Sequence, residues 1–402
     1  MTPHEPQMSV GDQLRPEERV VLRSVREHLG TAASDVEAGP LKLDVDWERF
    51  DRVAQRHHVR PLVYQVLLGR DETAVPSAVT ERWRTYLRQN TAQNLYLTGE
   101  LASILDAFNE RGISALPFKG AVLAATAYGD VARREFVDID VIIDPNAFDR
   151  AKATLQERGY EVQHKMLASE QMTANQESLV VEFGRECEFL RASDGVAVDL
   201  HWRFLPRRSA FPLSFADANA RRESVEVAGT TVPTMSTTDT VLLLAVHGTR
   251  HSWQHLRETC DLAALVLRCD VDWQTVVQRA EAMGCRRRLG IGIQLARDLL
   301  GLSVPAFVVE RTIDADAEVK RLVRDAREGL LDLEPTVVGR NRLWYKYAAH
   351  ERLSDRLSFL LHWGFSPHRK EIEAVALPGW LHPLYHLIRP IRLLAEGYGR
   401  RF

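Results

Sequence analysis

Apolar residues recur at three- and four-residue spacing through the first hundred residues, so Pro16 to Gly30 and Trp47 to Leu68 are expected to be helical. Val53, Val59, Leu62 and Val63 illustrate the spacing, and a longer helical run extends from about Val79 to Glu110. The period changes after Arg111-Gly112, a helix stop, where the short apolar run Ile113 to Phe118 reads as a first strand. Gly120 to Tyr128 is Ala-rich and helical in pattern, and Phe136 to Ile143 alternates with β-branched residues up to Asp144-Pro145. Phe148 to Arg158 reads as a helix closed by Gly159. Glu186 to Arg191 and Val196 to Trp202 flank Ser193-Asp194-Gly195, which has the residues of a tight hairpin turn. From Thr237 onward the helical period returns, with Thr238-Asp239 and Asp272 as expected N-caps. The fold class that follows is α+β: a helical region over 1–112, a small mixed β-sheet core over 113–235 and a helical region over 236–402.

Length agrees with several packed subdomains, since 402 residues exceed what one average core supports. Hydrophobic and charged fractions of 45% and 27% are those of a globular chain and exclude a disordered or fibrous one. A net charge of −3 argues against unspecific nucleic-acid binding, which demands a basic excess. The polar start and the short apolar run around Val241 to Val246 offer no membrane span, so stable membrane insertion is not expected and a cytoplasmic location is. The four cysteines, Cys187, Cys260, Cys269 and Cys285, have no zinc-like spacing and are expected to be reduced and mostly buried.

Chemistry concentrates in Val137-Asp138-Ile139-Asp140-Val141-Ile142-Ile143, where two carboxylates interrupt an otherwise buried strand. Residues two apart on a strand share a face, so Asp138 and Asp140 project together, and two unpaired acids so close require a cation. On the second strand of the expected hairpin, Asp199 and His201 share one face in the same way. Three strand-borne acids could hold two divalent cations about 3.5 to 4 Å apart, with Mg²⁺ or Mn²⁺ suited to oxygen ligands. Upstream, Phe118-Lys119-Gly120 puts a lysine and backbone amides at a helix start, where a phosphate could sit, and Arg134 could complement phosphate charge. Taken singly, these features also suit strand-end acids paired with Arg133 and Arg134.

Together, Lys119-Gly120, Tyr128, Arg134, Asp138-Ile139-Asp140 and Val198-Asp199-Leu200-His201-Trp202 resemble the uncharacterised bacterial nucleotidyltransferase family of the DNA polymerase β-like superfamily. The resemblance also takes in His58-Val59-Arg60-Pro61-Leu62, His247, His251, Asp261, and the segment from Leu384-Tyr385 to Arg389-Pro390. It implies a minimal nucleotidyltransferase core in which Asp138 and Asp140 bind both metals, while Asp199 binds the catalytic metal and helps deprotonate the acceptor. Lys119, Gly120, Arg134 and His201 are expected on the nucleotide, a nucleoside triphosphate. The wider superfamily usually has Gly-Ser or Gly-Gly where this chain has Lys119-Gly120-Ala121, and Lys119 is expected to meet the β- or γ-phosphate instead. The acceptor is expected to be a small molecule, a peptide or a protein side chain rather than RNA. Alternatives are a nucleotide-sensing or partner-binding protein of the same fold that transfers nothing, and transfer of the γ-phosphate.

Two further features compete for attention. His247, His251 and His255 share one face if their helix is continuous, which suits a transition metal, although His247 and His251 are rather expected to pack near the nucleotide or to hydrogen-bond within the helical bundle, where Asp261 could orient one of them. Arg286-Arg287-Arg288 and the basic end, with Arg389, Arg392, Arg400 and Arg401, could contact RNA or a membrane, but docking on the chain's own surface is expected.

Overall fold

A computed structural model describes residues 14–32, 45–70, 75–163, 184–206, 210–331, 342–367, 371 and 377–395. Helices α1 (Pro16–His28), α2 (Trp47–Arg56), α3 (Arg60–Leu68) and the 34-residue α4 (Ser77–Glu110) come first. The region expected to be one helix from Trp47 to Leu68 is two. Pro61 sits in the first turn of α3, and His58 adopts a left-handed φ of 53°. Val59 N–H then reaches Ala54 O and His58 N–H reaches Gln55 O, which closes α2 with a Schellman motif.

Next come β1 (Ala115–Pro117), α5 (Gly120–Leu123) continued by a π-helical turn (Ala124–Tyr128), β2 (Asp138–Ile143), α6 (Phe148–Glu157) and β3 (Glu161–Gln163). β4 (Glu186–Arg191) and β5 (Val196–His201) form the expected hairpin, in which Gly195 takes a φ of 74°. The strand order is β1-β2-β5-β4-β3, and only β2 and β5 run parallel. The sheet is therefore mixed, with the acid-bearing strands side by side at its centre.

One sheet face is apolar. Ile139, Val141, Ile143, Phe189, Val198 and Leu200 pack against Leu97, Leu101, Ile104 and Phe108 of α4 and Phe148, Ala151 and Leu155 of α6. The α4 residues recur at the helical interval, so the stripe that buries the sheet is written in its sequence. At its other end, Val79 and Trp83 belong to a second core.

Beyond the sheet, α7 (Phe215–Ala220) leads to a two-stranded hairpin, β6 (Glu223–Val227) and β7 (Thr230–Thr234). The helices that follow are α8 (Thr237–Arg250), α9 (Leu256–Arg268), α10 (Trp273–Ala282), α11 (Arg286–Leu300), α12 (Ala306–Val309), α13 (Ala317–Leu331), α14 (Arg342–Ala348), α15 (Leu353–Phe365) and α16 (Tyr385–Ala395). Ser236, rather than Thr238-Asp239, caps α8, and Asp272 caps α10 as expected. Val20, Phe50 and Val63 from the first helices share one buried cluster with Leu242, Leu262, Ile291 and Leu299 from the later ones. The two helical regions thus meet in one core. No helix among the described residues is long and apolar enough to cross a membrane.

The arginine run at the start of α11 is consumed internally. Arg287 Nε lies 2.7 Å from Asp316, Arg288 is buried and donates to Gly284 O, and Arg286 lies 3.6 Å from Glu351. Arg389 and Arg392 converge on buried Glu371, while Arg400 and Arg401 lie outside the described residues. Among the described residues, Cys187, Cys260 and Cys285 are buried and Cys269 is half-buried, all as free thiols.

The loop that delivers β2 to the site hangs from α4. Buried Asn94 donates Nδ2 to Val131 O at 2.6 Å and to Arg134 O at 2.7 Å, while Asn90 donates to Ala132 O at 3.0 Å. Asn94→Ala strips both carbonyls of a buried donor and is expected to destabilise the protein by about 1–3 kcal/mol. Urea unfolding checks this, and an unchanged midpoint would show that the loop holds itself.

Candidate functional site

The pleat of β2 turns Asp138 and Asp140 to the side opposite Ile139 and Val141. The parallel register then pairs Asp140 with Asp199 and Ile142 with His201. Parallel pairing places directly opposed side chains on the same face, so the two buried carboxylates stand next to each other. Oxygen atoms of Asp140 and Asp199 and a ring nitrogen of His201 all lie within 4.8 Å of one another. Asp138 is half-buried and lines the same cavity two residues nearer the start of the strand.

Lys119, at the start of α5, places Nζ 3.1 Å from Asp140 Oδ1. His201 Nε2 lies 3.0 Å from the same oxygen. Burial opposes the charge on Asp140, but Lys119 and His201 outweigh it and hold the carboxyl well below the usual carboxylate range. Burial lowers the pKa of His201 in spite of Asp140, which favours a neutral ring. Its Nδ1 is buried without a hydrogen bond among the described residues, although Glu186 Oε2, across the β4–β5 ladder, is only 3.2 Å away. Gly120 has a φ of 49°, a left-handed conformation that favours glycine, and a Cβ there would stand 3.5 Å from Asp138 O, an ordinary contact.

That orphaned Nδ1 tests whether the residues fit a divalent cation. With its proton on Nδ1, His201 would donate to Glu186 and turn the Nε2 lone pair toward the two carboxylates. The two carboxylates suit Mg²⁺ or Mn²⁺, and the imidazole favours Mn²⁺ over the harder Mg²⁺. The residues therefore fit.

Above the acids lies a cavity of about 410 Å³. Lys119, Arg134, Asp138, Asp140 and Asp199 line it from the sheet, while Thr240, His247, Arg250 and His251 line it from α8 and the turn after it. Gly120 and His201, both expected on the nucleotide, are not among the residues that line it. Arg134 is engaged: its Nε and Nη2 each lie 3.0 Å from a different oxygen of Asp261, to which Tyr128 also donates at 2.9 Å. Its neighbour Glu135 is clamped by Arg60, with hydrogen bonds of 3.0 and 3.1 Å. Asp261 therefore orients an arginine and a tyrosine rather than a histidine.

The histidines do not form one helical face. Helix α8 ends at Arg250, Ser252 and Trp253 take positive φ, and His255 turns away to Arg56 O at 2.8 Å. His247 and His251 remain together, their ring centres 4.4 Å apart.

A family model described as uncharacterised nucleotidyltransferase matches residues 44–301, more than half of the chain. This chain belongs to the uncharacterised nucleotidyltransferase family. Comparison with curated proteins finds no match. The matched span reaches from α2 through the sheet to the end of α11, so the clamp of Arg60 on Glu135 and of Asp261 on Arg134 falls within the family region. Family membership makes the protein a transferase of phosphorus-containing groups.

Sequence reasoning missed Glu186, Arg185, Arg250 and Arg257 as lining residues. Glu186 carried a usable signal, since a hairpin that opposes it to His201 puts a carboxylate beside a site imidazole. Arg250 and Arg257 carried none, because their approach depends on how the helices dock, and Arg185, just before β4, reaches the cavity from the edge of the same hairpin.

Proposed function

We propose that the chain transfers a nucleoside monophosphate from a nucleoside triphosphate to a hydroxyl or phosphate of an acceptor, with release of pyrophosphate. What carries this reading is the pairing of Asp140 with Asp199 across the parallel β2–β5 ladder, with His201 alongside, at the floor of an open cavity. Asp140, Asp199 and His201 would hold a divalent cation, Mg²⁺ or Mn²⁺, with Asp138 adjoining. Such a cation, when bound, supplies Lewis-acid stabilisation of the triphosphate charge.

In the transfer, the acceptor oxygen bonds to Pα, the Pα–O bond to the β-phosphate breaks, and pyrophosphate departs. Asp199 accepts the acceptor's proton, a role that suits a carboxylate at the cavity floor. Lys119 is placed to exchange Asp140 for a phosphate oxygen. Arg134, held by Asp261, presents a fixed positive charge in the cavity wall rather than a free hand for the phosphates. Positioning and electrostatics supply most of the rate. The net charge of −3 favours a small molecule, peptide or protein as acceptor over RNA.

The test uses nucleoside triphosphate labelled at the α or the γ position, incubated with the protein and a fractionated cell extract. Label is expected to reach an acceptor from the α position only. Transfer from the γ position would replace the reading with phosphotransfer.

A further inference from the structure

The end of α8 brings to the cavity a cation, Arg250, that the reaction outlined above does not use. Arg250, the last residue of α8, projects into the cavity with Arg185, Lys119, His247 and His251. Arg250 Nη1 is buried and has no hydrogen-bond partner among the described residues. Its neighbour Arg185 is engaged with the Glu186 carboxylate at 2.8 Å and with Phe204 O at 3.3 Å.

The cost of this arrangement shows in the groups themselves. Burial and then Arg185 beside it pull Arg250 down to about 10. Burial and the cations Arg250 and Arg342 lower Lys346, on α14. His247 and His251 are depressed by burial and by the cations around them, His251 to about 3. The C-terminal end of a helix favours a cation, but it gives Nη1 no partner. A largely buried arginine that lines a cavity, with one donor unpartnered among the described residues and with Arg185 as well as the Glu186 carboxylate acting on it, is arranged for an anion that spans several oxygens.

We propose that Arg250, backed by Arg185, binds the terminal phosphates of the nucleoside triphosphate and the pyrophosphate that leaves, on the α8 side of the cavity opposite the carboxylates. This assignment rests on reading the site as a nucleotidyltransferase centre. The triphosphate then runs from the acids of β2 and β5 toward α8, so the helical region after the sheet supplies one wall of the nucleotide site. Lys119, within reach of Asp140, serves the end of the phosphate chain nearer the acids.

Calorimetric titration with inorganic tripolyphosphate, in chelator and without nucleotide, tests the anion site apart from the chemistry. Wild type is expected to bind. Arg250→Gln is expected to bind at least about tenfold more weakly, and Arg250→Lys, which keeps the charge but loses the fork, to fall between them. Asp140→Asn/Asp199→Asn is expected to bind as tightly as wild type or more tightly. Circular dichroism confirms that each variant is folded, and Arg185→Gln provides the same comparison if Arg250→Gln is not. No binding by wild type, or wild-type affinity in a folded Arg250→Gln protein, overturns the assignment. Tripolyphosphate binding through Arg250 without any nucleotidyl transfer would sink the proposed reaction and keep the anion site. Transfer with a neutral Arg250→Gln would do the reverse.

Discussion

Asp199→Asn is expected to lower nucleotidyl transfer by at least about 10³-fold while leaving the fold as stable as before, or more so. The two halves of this result have one cause. Asp199 and Asp140 are buried side by side on neighbouring strands, and the two like charges repel, with the Lys119 ammonium at Asp140 to set against them. Removing one charge relieves the folded state but destroys the ligand set and the proton acceptor. Initial rates with a labelled triphosphate, beside urea unfolding in chelator, give both numbers. Activity within tenfold of wild type would remove Asp199 from the chemistry. A large loss of stability would mean that its contacts, not its charge, are what the site needs.

The second large effect concerns the buried clamp. Arg134→Met leaves the Asp261 carboxylate buried with, among the described residues, the Tyr128 hydroxyl as its side-chain partner, and is expected to cost about 3–5 kcal/mol of stability. Arg134→Met/Asp261→Leu removes both charges and is expected to recover most of that loss, since the pair gains little over well-packed apolar groups. Equilibrium unfolding of both single variants and the double variant gives the coupling. A cost near that of a surface ion pair in the Arg134→Met single variant would contradict the picture of a desolvated, interdependent pair. The clamp ties the segment before β2 to α9, so transfer is expected to fall even in the double variant, through displacement of Asp138 and Asp140.

Much of this was legible in the sequence for definite physical reasons. Alternation in Val137 to Ile143 gave a strand and put Asp138 and Asp140 on one face, and the β4–β5 turn residues gave the hairpin that carries Asp199 and His201. What periodicity could not give is which strands pair. The parallel register of β2 with β5 joins residues about sixty positions apart, and it alone sets Asp140 against Asp199. The position of Lys119 at a helix start was readable, yet its engagement with Asp140 was not, because a flexible side chain chooses its partner in three dimensions. Arg134 looked like a free phosphate ligand for the same reason, since Asp261 stands on a helix far along the chain. The break at His58 was masked by good helical periods on both sides, although Pro61, in the first turn of α3, was a mark of a helix start that could have revealed it.

Thermal unfolding with each of the four ribonucleoside triphosphates, with and without Mg²⁺, on wild type and on Asp140→Asn/Asp199→Asn, tests the central claim most directly. The account predicts a Mg²⁺-dependent stabilisation of wild type by at least one nucleotide, about 2.7 kcal/mol at about a hundred times its Kd, and its loss in the double variant. Equal stabilisation of both proteins, or none with any nucleotide, would contradict it.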